Sequence, residues 1–170
     1  TYYFSEYGAM QKDISIDNAG YIYYFGKDGV QSGEVKKIDK DGWIKMLDGW
    51  YYAKDGKLLK NQWISNHKYY LDDNGRMYAD RMEYIWEKNG EYGLYYFNSD
   101  GSMHTGWLYN YGTMYYFKKD GQAVRNQVYE IDGKIYGFAD GGNLVKQKSM
   151  LINNMLYYFD KEGITSNSQG

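Results

Sequence analysis

An aromatic tripeptide followed by a glycine-containing turn recurs along this 170-residue chain, and the repeat constrains the fold more than any other feature. Eight copies, some of them degenerate, occur about 20 residues apart, among them "YYFGKDG" from Tyr23, "YYFNSDG" from Tyr95 and "YYFKKDG" from Tyr115. A repeat of this length is one supersecondary unit, which buries its apolar face only by stacking on its neighbours. The repeat therefore predicts a stack of about eight similar units.

Each unit is predicted to be a β-hairpin. In "LYYF", Tyr95 and Phe97 share one face of a strand and Tyr96 takes the other, and aromatic residues favour strands. Asp, Asn and Gly in "SDG", "KDG" and "DNG" supply the positive φ that tight turns need. We expect the YYF strand to pair across this turn with the segment that follows it, such as "SMHTGWL" (residues 102–108). Since no stretch has a 3.6-residue apolar period, the predicted fold class is an all-β solenoid of stacked hairpins.

Two insertions interrupt the repeat, at "VKKIDKDG" (residues 35–42) and at "EYIWEKNGEYG" (residues 83–93). No linker or low-complexity boundary divides the rest, so residues 1–170 are expected to be a single repeat module. Because the chain starts inside the pattern, we expect it to be a fragment of a longer multidomain protein. The polar tail, residues 165–170, is expected to fray.

The composition indicates that rings, not aliphatic side chains, fill the core. Aromatic residues make up 20% of the chain, with 23 Tyr, and the mean hydropathy is -0.79. Each ring carries a large apolar area, and the Tyr and Trp rings also carry a polar tip that can stay in water. Such side chains suit a thin structure in which most residues are half-buried.

Charge and cysteine content exclude several classes of partner. The net charge is -2 and no run of five like charges occurs, whereas nucleic acid and anionic bilayers attract a basic face. No apolar stretch approaches the roughly 18 residues of a membrane span. The absence of Cys removes disulfides and thiolate metal sites. We therefore expect neither nucleic acid binding nor membrane insertion.

One segment concentrates tryptophan. "GWIKMLDGWYYAKDG" (residues 42–56) places Trp43 and Trp50 on facing strands of one hairpin, and alternation puts Trp50 and Tyr52 on one face. The next hairpin adds Trp63 and Tyr70. The pattern predicts a box with three or four aromatic walls.

The segments "TGWLYNYGTMYYFKKDGQ" and "DGWYYAKDGKLLKNQW" resemble the cell-wall-binding repeats of Gram-positive bacteria. That family includes choline-binding modules, the glucan-binding repeats of glucansucrases and the repeat regions of large clostridial toxins. The resemblance covers nearly the whole chain and implies a solenoid of β-hairpins. In the choline-binding branch it implies ligands held between consecutive hairpins, by two aromatic residues of one unit and one of the next.

The resemblance also implies which residues bind. The contributing positions are the Trp of "GW", the Trp before "YY" and the second Tyr of "YY"; Trp43, Trp50 and Tyr70 match them best. Partial matches extend the ligand-binding candidates to Trp43, Trp50, Trp63, Tyr70, Tyr96, Trp107 and Tyr116. Only Trp50 is a Trp before "YY"; Lys68 and Met114 stand where the choline pattern expects one. The glucan-binding and toxin branches use less Trp at that position.

Two ligand chemistries fit such aromatic sites. A quaternary ammonium keeps its charge and is attracted to ring faces by about 0.5–2 kcal/mol per ring. A sugar instead lays its C–H face on a ring while polar side chains bond its hydroxyls. Several weak sites on one molecule raise the avidity for a polymer, so choline-bearing teichoic acid and glucan are both expected partners.

Other candidate sites have structural explanations. Glu83, Glu87 and Glu91 have helical spacing, but Asn89-Gly90 breaks a helix, so they are interpreted as loop charges. "LDDNG" (residues 71–75) does not fit the EF-hand spacing, and turn chemistry explains it. His67 and His104 are isolated in the sequence. We therefore expect no catalytic residue, no metal ion and no cofactor.

The function predicted from the sequence is that of a non-catalytic module, which anchors a secreted bacterial surface protein to cell-wall polymer or extracellular glycan. Any catalytic domain would lie outside these residues. The alternative is a structural spacer or assembly rod without a small ligand, which could dimerise through its aromatic faces.

Overall fold

The computed structural model describes residues 1–166, so the last four residues of the tail that we expected to fray lie outside it. Within residues 1–166 the chain forms 17 strands in seven antiparallel sheets, with no helix and so no helix that could cross a membrane. The predicted all-β class built from short hairpins is confirmed. The strands are β1 (Ile14–Asn18), β2 (Tyr21–Phe25), β3 (Gln31–Lys37), β4 (Gly42–Met46), β5 (Gly49–Lys54), β6 (Lys57–Leu58), β7 (Gln62–Ile64), β8 (Tyr69–Leu71), β9 (Arg81–Trp86), β10 (Tyr92–Phe97), β11 (Gly106–Asn110), β12 (Thr113–Phe117), β13 (Gln127–Ile131), β14 (Lys134–Phe138), β15 (Lys148–Ile152), β16 (Met155–Phe159) and β17 (Ile164–Thr165).

The pairing differs from our expectation in most units. The YYF strand pairs with the strand that precedes it, as β12 does with β11, where Trp107 lies opposite Tyr116. Across the following Asp-Gly turn, Phe117 makes only an isolated bridge to Ala123. In this unit the expected hairpin around the Asp-Gly turn is therefore wrong. The physical reason is that the segment after the turn bonds to the preceding hairpin instead. The Ala123 N–H donates to the Leu94 carbonyl of that hairpin (2.8 Å) and is not available to extend a ladder with β12. The expected hairpin does form in two other units, where β2 pairs with β3 and β5 pairs with β6 across the turn that follows the aromatic strand.

Turn chemistry explains which turn carries the long ladder. Hairpin β11–β12 turns through Tyr111 (φ 47) and Gly112 (φ 79), and hairpin β13–β14 through Asp132 (φ 51) and Gly133 (φ 74). Two consecutive positive φ values are characteristic of the two-residue type I′ turn, whose twist matches that of paired strands. The turns that follow the aromatic tripeptide mostly use one positive φ, as at Gly121 (φ 82), although Asp55 (φ 52) and Gly56 (φ 73) both have positive values. In the degenerate unit that glycine is Gly142, one residue later than its neighbour Gly141.

Residue contacts group the chain into two compact units. The first comprises Thr1–Asp80 with Ser99–Ser102, and the second comprises Arg81–Asn98 and the chain from Met103 onward. The core of the first unit contains Ile22, Ile38, Met46, Tyr51, Ala53 and Leu58. The cores of the second unit contain Leu94, Phe117 and Ala123; Val124, Ile131, Phe138 and Leu144; and Val145, Ile152, Tyr157 and Phe159. Each unit thus has its own buried apolar residues.

An aspartate anchors hairpin β4–β5 inside the first unit. Asp48 lies in the turn between the two strands and accepts hydrogen bonds from the Ser15 backbone N–H (2.9 Å) and the Ser15 hydroxyl (2.6 Å). It also accepts one from the Tyr51 hydroxyl (2.6 Å). Because Ser15 and Tyr51 are fully buried, these bonds satisfy groups that would otherwise be costly to bury.

One main-chain hydrogen bond recurs between consecutive hairpins. The residue two places after the turn glycine donates to the carbonyl of the residue before "YY" in the hairpin before. In the first unit Met77 donates to Trp50 (2.8 Å); in the second, Ala123 donates to Leu94 and Leu144 to Met114, both at 2.8 Å. This repeated bond fixes the register in which one hairpin stacks on the next.

Candidate ligand-binding site

Hairpin β4–β5 builds a corner of aromatic rings. The ladder places Trp43 opposite Tyr52 and Lys45 opposite Trp50, so Trp43, Trp50 and Tyr52 lie on one face. Trp43 meets the Trp50 ring edge-on at a centroid distance of 6.4 Å (interplanar angle 88°). It meets Tyr52 in the same way at 5.2 Å and 89°. The predicted facing of the two Trp residues on one hairpin agrees with this register.

Tyr69 of β8 adds a third wall. Its ring lies 5.2 Å from Trp43 at an interplanar angle of 81°. A cavity of about 270 Å³, open to solvent, is lined by Trp43, Trp50, Tyr69, Met77 and Asp100, which we call the aromatic cage. All five residues belong to the first compact unit. The cage therefore offers three ring walls, one thioether and one carboxylate.

One carboxylate and two ammonium groups set the charge around the cage. Asp100 is exposed, and its carboxylate accepts hydrogen bonds from the Ser102 hydroxyl (2.5 Å) and the Ser102 backbone N–H (2.9 Å). These bonds hold the pKa of Asp100 below its usual range, so the group is ionised at neutral pH. Two ammonium groups already lie over cage rings, Lys45 Nζ 5.4 Å from the Trp50 centroid and Lys68 Nζ 5.1 Å from that of Tyr69.

Tyr70 lies elsewhere than expected. It is opposite Trp63 in the β7–β8 ladder, with ring centroids 5.2 Å apart. Its ring also stacks on that of Tyr78, with a centroid distance of 5.5 Å and an interplanar angle of 16°. Because consecutive residues of a strand face opposite sides, only one of Tyr69 and Tyr70 can meet Trp43. The structure places Tyr69 there, and Trp63 with Tyr70 forms a separate cluster.

Trp107 and Tyr116 form a similar corner that is packed against a core. Trp107 meets Tyr116 at 5.2 Å and Tyr136 of the next hairpin at 5.0 Å, as Trp43 meets Tyr52 and Tyr69. Met114, however, occupies the position of Trp50, and the rings pack on the buried cluster around Val124 and Phe138. This corner therefore lacks a ring at the position that Trp50 holds in the cage.

Tyr96 lies opposite Met82 in the β9–β10 ladder, so no Trp faces it there. Its ring is edge-on to His104 at 6.0 Å, and it packs against the buried cluster of Leu94, Phe117 and Ala123. The structure thus places Tyr96 in a packed cluster of the second unit.

The cage contains three residues that the sequence did not indicate: Tyr69, Met77 and Asp100. Met77 stands two places after a turn glycine, where Met10 and Met103 stand in other units, so the repeat itself could have singled it out. Asp100 is 50 residues from Trp50 in the chain, and only the stacking of hairpins brings its turn to the cage. A local pattern carries no signal for such a contact.

The weaker candidates have structural roles. Glu87 accepts a hydrogen bond from the Tyr95 hydroxyl (2.8 Å) at the end of β9, so the predicted break of a helix here is consistent with the strands observed. The Asp72 carboxylate accepts from the backbone N–H groups of Asn74 (2.9 Å) and Arg76 (2.8 Å), which is turn chemistry. Across residues 1–166, no group of three or more His, Cys, Asp or Glu side chains is arranged to hold a metal ion.

Two family profiles match parts of the chain. A profile described as a choline-binding repeat matches residues 86–127, and one described as a putative cell wall binding repeat matches residues 62–77. The second match ends at Met77, which lines the cage.

Much longer proteins of streptococci are similar to nearly the whole chain. Glucosyltransferase-I of Streptococcus downei is 32% identical over 163 residues, which cover 91% of this chain and 9% of that protein. Glucosyltransferase-S of Streptococcus mutans serotype c is 30% identical over 156 residues, covering 88% of this chain and 10% of that protein. The chain thus spans about a tenth of the length of these curated relatives. Among solved structures, the modular autolysin LytC of Streptococcus pneumoniae aligns over 98% of this chain and 42% of that chain, with a TM-score of 0.46 and 23% identity.

Proposed function

We propose that this chain, whose repeats match choline-binding and cell-wall-binding profiles over residues 86–127 and 62–77, is a binding module for choline-bearing cell-wall polymer. The aromatic cage takes the quaternary ammonium group. The module comprises residues 1–170, binds rather than catalyses, and anchors a longer secreted protein at the bacterial surface. Any catalytic domain lies in another part of that protein, whose relatives are about ten times the length of this chain.

The geometry of the cage is the observation that supports this proposal. A trimethylammonium group cannot donate a hydrogen bond from nitrogen, so its recognition depends on ring faces and on negative charge. Trp43 meets each of the other two rings at nearly a right angle, which lets the rings surround a compact cation from different sides. At about 0.5–2 kcal/mol per ring, three rings give a weak site that gains from repetition along a polymer.

Glucan is the second candidate ligand, because the relatives are glucosyltransferases that by name transfer glucosyl units. The same cage rings could stack on a pyranose. A neutral sugar does not need the Asp100 charge, so this residue separates the two ligands.

The test is a titration followed by Trp fluorescence and calorimetry, with choline chloride in one arm and soluble dextran in the other. We expect saturable choline binding that Trp50→Ala abolishes. Trp86→Ala is the matched control in the choline arm, because Trp86 is an exposed Trp outside the cage (59% exposed, against 40% for Trp50). An unchanged choline isotherm in Trp50→Ala would contradict the proposal. No binding of choline, together with dextran binding that is lost in Trp50→Ala, would favour glucan as the ligand. If neither choline nor dextran binds, the structural spacer is favoured. Light scattering of the same sample tests the predicted homodimer.

A further inference from the structure

A second group of exposed rings lies on the insertion at residues 83–93, at the end of hairpin β9–β10. The ladder places Trp86 opposite Tyr92 and Tyr84 opposite Leu94, so these four side chains share one face. Leu94 is 2% exposed, whereas Tyr84, Trp86 and Tyr92 are 51%, 59% and 58% exposed. This face is thus buried at Leu94 and exposed to solvent towards the turn between β9 and β10. We call Tyr84, Trp86 and Tyr92 the aromatic platform.

The platform is held in place by its surroundings. The Trp86 and Tyr92 rings are 4.7 Å apart at an interplanar angle of 69°. The turn beneath them is closed by the Glu87 N–H donating to the Glu91 carbonyl (2.8 Å) and the Gly90 N–H donating to the Glu87 carbonyl (3.0 Å). A buried Tyr95 hydroxyl donates to the Glu87 carboxylate. Rings fixed in this way lose little conformational entropy when a ligand binds.

A guanidinium forms the polar edge of the platform. The Arg125 Cζ atom lies 4.9 Å from the Tyr84 ring centroid. Its Nε–H donates to the Asp140 carbonyl (2.6 Å), and an Nη2–H lies 3.4 Å from the Asp140 carboxylate. Another N–H lies 3.5 Å from the Tyr92 carbonyl. Because a guanidinium carries five N–H groups, donors remain beside the rings for the hydroxyls of a ligand.

The size and charge of the platform indicate its ligand. A ring side chain buries about 150–250 Å² at most, so three half-exposed rings supply far less than the roughly 800 Å² per partner of a stable protein interface. Arg125 and Asp140 offset each other's charge, which favours a neutral ligand. An exposed ring face beside hydrogen-bond donors matches a hexopyranose, which has an apolar C–H face and hydroxyls at its edge.

We propose that the aromatic platform is a second ligand site, which stacks a hexopyranose unit of a polysaccharide and is independent of the cage. Trp86 and Tyr92 supply the stacking faces, and Arg125 supplies hydrogen bonds to ring hydroxyls. The module then carries two sites of different chemistry, one for a cation and one for a sugar ring.

The test is affinity electrophoresis and calorimetry of the full chain with three soluble polysaccharides: dextran, laminarin and mannan. We expect the wild-type protein to bind at least one of them, and Trp86→Ala/Tyr92→Ala to bind at least tenfold more weakly. Trp86→Phe should retain most of the affinity, because it keeps a ring. Tyr109→Ala is the matched control, since Tyr109 is an exposed ring (70%) on the neighbouring hairpin.

The remaining outcomes overturn the proposal. It fails if no polysaccharide binds, if the double variant binds like wild type, or if Tyr109→Ala loses as much affinity. It also fails if Trp50→Ala, and not the platform variant, removes polysaccharide binding. The choline titration and thermal midpoint of the platform variant should match wild type, because its rings are exposed. The choline arm thus tests the cage separately from the platform.

Discussion

Asp100 is the single residue whose chemistry separates the two candidate ligands of the cage. It is the carboxylate among the cage-lining residues, and it is ionised at neutral pH. We predict that Asp100→Asn weakens choline binding several-fold and reduces its dependence on salt, because a charge has been removed at constant shape. Dextran binding, where present, should not change. Equal losses for both ligands would indicate a structural effect and contradict the assigned role.

The lowered pKa of Asp100 also predicts how choline binding depends on pH. The ionised form attracts the cation, and hydrogen bonds from Ser102 keep it ionised to lower pH than an ordinary Asp, whose pKa is about 3.9. Choline affinity should therefore stay constant from pH 7 to about pH 4.5 and decline only below the ordinary range. Calorimetry across this interval checks it. In Asp100→Asn the decline should be absent, and a wild-type decline beginning near pH 6 would contradict the prediction.

Tyrosine hydroxyls couple stability to high pH. Burial and the Asp48 hydrogen bond raise the pKa of Tyr51, burial and Glu87 raise the pKa of Tyr95, and the Asp13 hydrogen bond raises the pKa of Tyr24 to about 12. The folded state thus holds these protons more tightly than the unfolded chain, in which Tyr titrates near 10. This stability is complete below about pH 10 and is lost as the pH rises further, by about 1.4 kcal/mol per pH unit for buried Tyr51.

Urea midpoints measured from pH 8 to 11.5 test this coupling. Tyr51→Phe lowers the midpoint below pH 10, because it leaves Asp48 with one donor fewer, and its decline above pH 10 should be shallower than in wild type. Tyr109→Phe, at an exposed ring, should keep the wild-type slope. Parallel curves of urea midpoint against pH for all three proteins would show that the Tyr51 phenol does not contribute to the loss of stability above pH 10.

Strand alternation determined how much of the cage was predictable. It placed Trp43 and Trp50 together because both lie in one hairpin, where a period of two residues decides the face. Tyr69 was missed because its contact with Trp43 depends on how one hairpin stacks on the next. The family pattern pointed to the second Tyr, whereas the stacking register presents the first.

Each hairpin is flanked by two kinds of turn that both contain Gly, and in most units we assigned the long ladder to the wrong one; β2–β3 and β5–β6 are the units where strands pair as expected. The distinguishing feature is turn length, because two-residue turns such as Asp132-Gly133 match the twist of paired strands. Longer turns such as residues 118–121 close on a single bridge. This difference in turn length was present in the sequence, but we based the pairing on the more regular turn that directly follows "YYF".

Tyr111 is an unusual residue for its turn and gives a test of this assignment. It adopts φ 47 at the first central position of a type I′ turn, where Asn is preferred. We predict that Tyr111→Asn stabilises the protein by up to about 1 kcal/mol, because Asn tolerates the left-handed region better. Tyr109→Asn, in the adjacent strand, should instead destabilise, since Asn is a poor strand former. Chemical denaturation of both variants measures the effect, and destabilisation by Tyr111→Asn would contradict the turn type.

Gly121 combines a positive φ with a close contact. A Cβ atom there would collide with the Met103 side chain, whereas one at Gly112, which has a similar φ, would meet nothing within 4 Å. Gly112→Ala therefore isolates the backbone cost, about 1–2 kcal/mol, and Gly121→Ala should cost at least about 1 kcal/mol more. Met103→Ala added to Gly121→Ala should recover part of the excess. Equal unfolding free energies for the two Gly variants would show that the Met103 side chain moves aside without a loss of stability.

At the scale of the whole molecule, repetition predicted the fold class because each hairpin needs a neighbour to bury its rings. The predicted single module over residues 1–170 remains a proposal. The described residues group into two compact units, and no composition change near Asp80 indicates this grouping in the sequence. The cage lies wholly within the first unit and the platform wholly within the second, which makes separate assays of the two sites possible.

Ligand binding should stabilise the fold that builds the cage. Because the cage walls come from two hairpins and the Asp100 turn, an unfolded chain does not retain the site, and choline binds the folded state alone. At 100 times its dissociation constant, choline should add about 2.7 kcal/mol to the unfolding free energy. The thermal midpoint should therefore rise with choline concentration, with slower amide hydrogen exchange in β4, β5 and β8. Tetramethylammonium should act similarly, sodium chloride at equal ionic strength should not, and Trp50→Ala should remove the effect. A rise that persists in Trp50→Ala would place the choline site outside the cage.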